Sequence, residues 1–111
     1  MNLAPIVEEF QAWATNNPLV LRIWLFGSRT REDYRPDSDL DVAVELDPSM
    51  FTGADESGGI ATWAFETKGW KEELQSLSPY NIQLEQYLPE QTPRIKKALD
   101  RSSRLIYEKS V

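Results

Sequence analysis

The segment GSRTREDYRPDSDLD, which runs from Gly27 to Asp41, decides how this sequence is interpreted. It lies between two apolar runs, LVLRIWLF (residues 19–26) and DLDVAVEL (residues 39–46), whose composition favours β-strands. A glycine directly after a buried strand permits unusual backbone angles and close approach of a ligand. We therefore expect the segment to place a functional site at one end of two neighbouring strands.

The first half of this segment suits a phosphate. Ser28 can cap a short helical turn that extends to about Asp33, and the N-terminus of such a turn offers free backbone N–H groups to an anion. Arg29, Arg31 and Arg35 come next in the chain, and guanidinium groups bind phosphates well. A lone Gly-Ser pair is more often an ordinary capped turn, so this half indicates a phosphate site only in combination with the second half.

The second half of the segment suits a metal ion. Asp39 and Asp41 are two residues apart, so on a strand both side chains project from the same face, while Leu40 and Val42 point into the core. Mg²⁺ prefers carboxylates, water and substrate phosphates, and paired aspartates occur in sites for phosphoryl and nucleotidyl transfer. An isolated Asp-x-Asp is more often a solvated strand edge. Joined to a Gly-Ser turn, the pair favours a phosphate and metal site.

Composition excludes several other kinds of function. The chain has 111 residues, with 12 basic and 18 acidic side chains and a net charge of −6, which disfavours broad nucleic-acid binding. It has no cysteine and no histidine, so disulfides, thiolate sites, imidazole ligands and a Ser-His-Asp triad are excluded. It shows no secretion signal and no apolar run of membrane-spanning length. We expect a cytoplasmic protein without membrane contact.

Periodicity along the chain predicts one domain over residues 1–111. Besides the two strands and the short helix of the central segment, we expect a first helix over residues 3–13, a loop over 47–59 and a helix over 60–77. Gly69 is unfavourable inside that helix, so the helix can kink or break there. A strand over 80–88, a helix starting at Thr92 and Pro93, and a last strand over 101–107 complete the predicted order. This order indicates an α/β (α+β) fold with a small mixed sheet flanked by helices.

The stretch LFGSRTREDYRPDSDLDVAVEL (residues 25–46) resembles the signature of the DNA polymerase β-like nucleotidyltransferase superfamily, and within it the minimal nucleotidyltransferases. The resemblance implies the nucleotidyltransferase fold and Mg²⁺-dependent transfer of a nucleoside monophosphate, with AMP from ATP expected, to an acceptor. Several such proteins act beside a HEPN-domain partner in toxin–antitoxin pairs, so a HEPN-type partner is also expected. The implied metal-binding and catalytic residues are Asp39 and Asp41. The implied nucleotide-binding residues are Gly27, Ser28, Arg29, Arg31 and Ser38.

The sequence departs from the family pattern at two positions. Glu32 stands where glycine is usual, which a short helical turn accepts. More seriously, the third carboxylate of the family falls on Gln83, and a neutral amide supplies no negative charge to a metal. Glu85, about 6.6 Å further along the same strand face, is a candidate catalytic substitute; the alternative is a surface glutamate on an edge strand.

These departures lead to two hypotheses. In the first, the protein is a nucleotidyltransferase in which Glu85 or an external carboxylate completes the site. In the second, it is a catalytically weak or inactive antitoxin or binding module that keeps the fold and pairs with a HEPN-type protein.

Overall fold

The computed structural model describes residues 3–27, 39–50, 60–88 and 92–110. The short helix predicted over residues 28–33 and most of the predicted 47–59 loop lie outside these ranges. The described elements, in chain order, are α1 (Ala4–Thr15), β1 (Val20–Phe26), β2 (Leu40–Leu46), a 3₁₀ turn (Pro48–Met50), α2 (Ile60–Ser76), β3 (Ile82–Gln86), α3 (Pro93–Arg101) and β4 (Ser103–Glu108).

The four strands form one sheet in the order β3-β2-β1-β4. β2 pairs antiparallel with β1 and parallel with β3, and β1 pairs antiparallel with β4. The parallel pair needs a crossover connection, and α2 lies in it. The predicted fold class, a small mixed sheet flanked by helices, is confirmed.

One face of the sheet carries the main core. Leu40, Val42 and Val44 are fully buried on this face of β2, as the alternation of the strand requires. α1 and α2 cover them, with Phe10 of α1 and Leu74 of α2 also fully buried. The apolar side of β2 is therefore fixed in the interior.

The opposite face of the sheet carries a smaller cluster. Phe26 of β1, Ala43 of β2 and Leu99 of α3 are buried together there. Trp24 packs beside them and meets Tyr87 edge-to-face, with 5.1 Å between ring centroids. α3 thus covers part of the sheet face on which Asp41 and its same-face neighbours lie.

Some element boundaries differ from the predictions. α2 runs through Gly69 without a break, because its buried residues Trp70 and Leu74 lie beyond the glycine and anchor the last turns in the core. The last strand begins at Ser103 rather than Arg101, which is the final residue of α3. Among the described residues, no helix combines the length and the apolarity needed to cross a membrane.

Thr92 precedes α3 but does not cap it through its side chain. Its hydroxyl instead donates to the carbonyl of Leu88 at 2.8 Å and accepts from the Leu88 backbone N–H at 2.9 Å. The threonine closes the connection between β3 and α3, and Pro93 opens the helix.

A partly buried ion pair connects the far ends of three strands. Asp47, 9% exposed, comes directly after β2 and binds the Nζ of Lys109, after β4, at 2.7 Å. Lys109 also donates to the carbonyl of Pro18, just before β1, at 2.9 Å. Hydrogen bonds from Lys109 and from the hydroxyl and backbone N–H of Ser49 lower the pKa of Asp47 from its usual 3.8 to about 2.

This low pKa predicts an acid-sensitive contribution to stability. The Asp47 carboxylate stabilises the fold fully above pH 3.8, and the contribution of about 2 kcal/mol is lost as the pH falls toward 2. Asp47→Asn should lower the free energy of unfolding at pH 7 by about that amount, and its difference from the wild type should shrink between pH 4 and pH 2. Urea unfolding across this range measures it, with the exposed Asp100→Asn as the control. A difference that does not change with pH would contradict the assignment.

Candidate functional site

The candidate site lies where β1 ends and β2 begins. Phe26 of β1 is paired with Asp41 of β2, and Asp41 is paired on its other side with Gln83 of β3. The three residues form one row across adjacent strands, which lie about 5 Å apart. The site therefore rests on the sheet face opposite the main core.

Gly27 makes the turn out of β1 with a φ of +81°, a backbone angle that L side chains rarely adopt. A Cβ at this position would collide with the Oδ2 of Asp41 and lie 3.0 Å from its Cγ. The glycine was predicted to allow close approach of a ligand. In the structure, what approaches its backbone is the Asp41 carboxylate, so Gly27 and Asp41 form one packed unit.

Asp39 is held by two amide side chains of the neighbouring chain segment. The Nδ2 of Asn81 donates to its Oδ1 at 2.9 Å, and the Nε2 of Gln83 donates to its Oδ2 at 2.9 Å. The backbone N–H of Leu40 donates to the Asn81 carbonyl at 2.8 Å, which begins the parallel pairing. Both carboxylate oxygens of Asp39 thus accept an amide hydrogen.

Sequence reasoning missed Asn81 as a site residue. The available signal was the alternation Asn81-x-Gln83 at the start of β3, which matches Asp39-x-Asp41 at the start of β2. The alternation alone does not show which strands are neighbours, so the match had no meaning until the parallel pairing was known. Gln83 was identified only as a missing carboxylate, whereas it is a hydrogen-bond donor to Asp39.

Glu85 lies one step further along β3, opposite Ala43 rather than Asp41. Its exposed side chain lines a cavity of about 500 Å³ between the sheet and the start of α3. Phe26, Arg94 and Ile95 line the same cavity. Within the described ranges, no three His, Cys, Asp or Glu side chains lie close enough together to hold a metal ion.

The other predicted nucleotide-binding residues lie outside the described part of the chain. They are Ser28, Arg29, Arg31 and Ser38. Their phosphate contacts therefore stay predictions.

The described carboxylates fit a divalent cation. Asp39 and Asp41 share a strand face, and a hard cation such as Mg²⁺ is usually bound by one or two carboxylates together with substrate phosphates. The donor set suits a cation that also binds a phosphate ligand.

A sequence model of the polymerase beta nucleotidyltransferase family matches residues 8–111. The chain belongs to this family. The match includes both aspartates, Gly27 and the amide-bearing strand β3, so the row formed by Phe26, Asp41 and Gln83 is part of the family domain. No curated protein matches the chain significantly in sequence.

Solved structures share the nucleotidyltransferase fold. A toxin–antitoxin structure with AMP-PNP is 21% identical, with a TM-score of 0.58 over 99% of this chain and 76% of the other. A putative nucleotidyltransferase from Sulfolobus solfataricus is 20% identical, with a TM-score of 0.53 over 96% and 80%. A mutant of the toxin–antitoxin MntA–HpeT with two aspartate-to-glutamate substitutions, two positions apart, is 19% identical, with a TM-score of 0.58 over 99% and 76%.

The packing of Gly27 against Asp41 predicts a large effect of a single methyl group. Gly27→Ala should destabilise the protein by about 1–2 kcal/mol from backbone strain alone, and the collision with Asp41 adds to this. The matched control is Gly69→Ala, since a Cβ there meets nothing within 4 Å and the residue lies inside α2. The control should stabilise the protein by up to about 1 kcal/mol. Thermal unfolding of both variants measures this, and equal effects would contradict the proposed packing.

Proposed function

We propose that the protein is a Mg²⁺-dependent nucleotidyltransferase that moves AMP from ATP to an acceptor hydroxyl. The observation that carries the proposal is the position of Asp39, directly before β2, and Asp41, on β2, in a chain that belongs to a nucleotidyltransferase family. Gly27 supports it, because its positive φ packs the end of β1 directly against Asp41.

In this proposal Asp39 and Asp41 hold the cation, which supplies positive charge to the phosphate oxygens when it is bound. Gly27, Ser28, Arg29, Arg31 and Ser38 bind and orient the triphosphate. The acceptor oxygen attacks the α-phosphorus, a new P–O bond forms, and the bond to the departing pyrophosphate breaks. The protein's contribution is positioning and charge stabilisation.

We further propose that Glu85 acts toward the acceptor. Glu85 is paired with Ala43 and lines the cavity that Phe26 borders, one strand away from Asp41. A carboxylate there can take the proton of an acceptor hydroxyl bound in the cavity. Phe26, Ile95 and Ala98 give this cavity an apolar wall against which an acceptor could pack.

The solved neighbours support a nucleotide and a protein partner. One is a toxin–antitoxin structure with AMP-PNP, an ATP analogue. In another toxin–antitoxin structure, two aspartates with the same spacing as Asp39 and Asp41 were replaced by glutamate. We propose that this protein uses ATP and pairs with a HEPN-type protein.

A second candidate function is that of an antitoxin-like binding module with weak or no transfer. Gln83 is the observation that favours it, because the side chain paired with Asp41 is a neutral amide engaged with Asp39. This hypothesis keeps the fold, the nucleotide site and the partner, but assigns no turnover.

The decisive prediction concerns Asp39. Asp39→Asn should lower Mg²⁺-dependent transfer of label from α-³²P-ATP to a co-expressed HEPN-type partner by at least about 100-fold. Removing a residue that only hydrogen-bonds to a metal ligand already lowers metal affinity or activity by roughly 10- to 100-fold, and Asp39 is proposed as a ligand itself. Label on the γ-phosphate should not transfer. Glu72→Gln, an exposed acid on α2, is the matched control and should retain full transfer. If Asp39→Asn keeps full activity, the assigned metal site is wrong.

A second prediction separates the two functions. If Glu85 accepts the acceptor's proton, Glu85→Gln should reduce transfer by roughly 100-fold or more while leaving ATP affinity within about twofold. Transfer rates and equilibrium binding of AMP-PNP measure the two effects. Transfer that persists in Glu85→Gln removes the glutamate from the mechanism. Absence of transfer in the wild type, with AMP-PNP and the partner both bound, establishes the binding-module function instead.

A further inference from the structure

The amide groups around Asp39 have a consequence for metal binding. Asn81 and Gln83 each donate one hydrogen bond of 2.9 Å, one to each oxygen of the same carboxylate. We call this pair the amide clamp. A carboxylate gripped at both oxygens has little freedom to rotate, and neighbouring hydrogen bonds of this kind orient metal ligands in proteins.

Gln83 is placed to influence both aspartates. Its backbone is paired with Asp41, and its side chain reaches Asp39. Because Nε2 faces Asp39, the amide presents a hydrogen to that carboxylate and turns its oxygen away from it. The side chain nearest the two carboxylates on β3 therefore adds no negative charge to them.

We propose that the amide clamp positions Asp39 for a single divalent cation, and that Gln83 sets the number of cations that the protein binds without nucleotide. The inference rests on the proposed function in one respect, namely that Asp39 and Asp41 hold the cation. It goes beyond it by assigning positioning roles to Asn81 and Gln83.

Charge favours one cation over two. One divalent cation balances the two carboxylates of Asp39 and Asp41. A second cation at the spacing of about 3.5–4 Å found in two-metal sites would be repelled by the first unless further negative charge lay between them. Within the part of the chain that the structure describes, no third acidic side chain joins a metal-holding group.

Gln83→Glu tests the inference with almost no change of shape. Glutamate has the length of glutamine, and Gln83 is exposed, so the variant should fold. It places a third carboxylate beside Asp39 and Asp41. Titration with Mn²⁺ in the absence of nucleotide, followed by the electron paramagnetic resonance signal of free Mn²⁺, counts bound ions directly. The wild type should bind one Mn²⁺ and Gln83→Glu two. Gln83→Asp is a second variant with the same expected count.

The clamp itself is tested by removing its donors. Gln83→Ala and Asn81→Ala should each still bind one Mn²⁺, with an affinity lower by roughly 10- to 100-fold. Ala61→Asp adds a carboxylate at an exposed position on α2, across the sheet from the site, and should leave both count and affinity unchanged. Unchanged affinity in both alanine variants would overturn the positioning role.

The outcomes separate this inference from the proposed function. If Asp39→Asn binds Mn²⁺ as the wild type does, the proposed metal site itself is wrong. If Asp39→Asn loses binding but the wild type holds two ions, or Gln83→Glu holds only one, the metal site stands and the role of Gln83 in setting the count is overturned. One ion in the wild type, two in Gln83→Glu and none in Asp39→Asn supports both.

Discussion

The alternation of β2 is the constraint on which the rest of the structure depends. Leu40, Val42 and Val44 are fully buried, and a slip of one residue would exchange them for Asp41, Ala43 and Glu45. Burial of ionised carboxylates without partners is far more costly than any loss of apolar contact. The core on one face of β2 therefore fixes the acidic pair on the other face. Burial of the apolar residues of β2 by the hydrophobic effect therefore positions the candidate functional residue Asp41 on the opposite face.

Two neighbours then define the local environment of that acidic pair. On the β1 side, the Asp41 carboxylate packs against the backbone of Gly27. The Cβ of any other residue at position 27 would collide with that carboxylate. On the β3 side, Asn81 and Gln83 hold Asp39. Each aspartate is thus restrained by a different strand, so the relative position of the two carboxylates depends on both the antiparallel and the parallel pairing of β2. The site is a product of the sheet as a whole.

The strands, the glycine turn and the acidic pair could be predicted from local sequence. The contacts between strands could not, because they join residues that are far apart in the chain. Strand alternation, the glycine after β1 and the Asp39-x-Asp41 spacing are properties of short segments, so the mixed α/β fold was predicted correctly. The contact between Asn81 and Asp39 joins residues 42 positions apart and exists only because β3 adds in parallel to β2. Periodicity does not encode which strands pair. The cavity beside Glu85 likewise depends on where α3 crosses the sheet.

The amide clamp also bears on how the domain exists without a cation. Three clustered carboxylates repel one another and rely on bound metal to offset that repulsion. Here the hydrogen-bond donors of Asn81 and Gln83 stabilise the charge of Asp39 directly. Compared with the carboxylate that the family resemblance implies at this position, the amide of Gln83 carries no negative charge and adds a favourable contact with Asp39. An amide at this position is compatible both with an enzyme that receives its cation together with ATP and with a module that binds a partner without turnover.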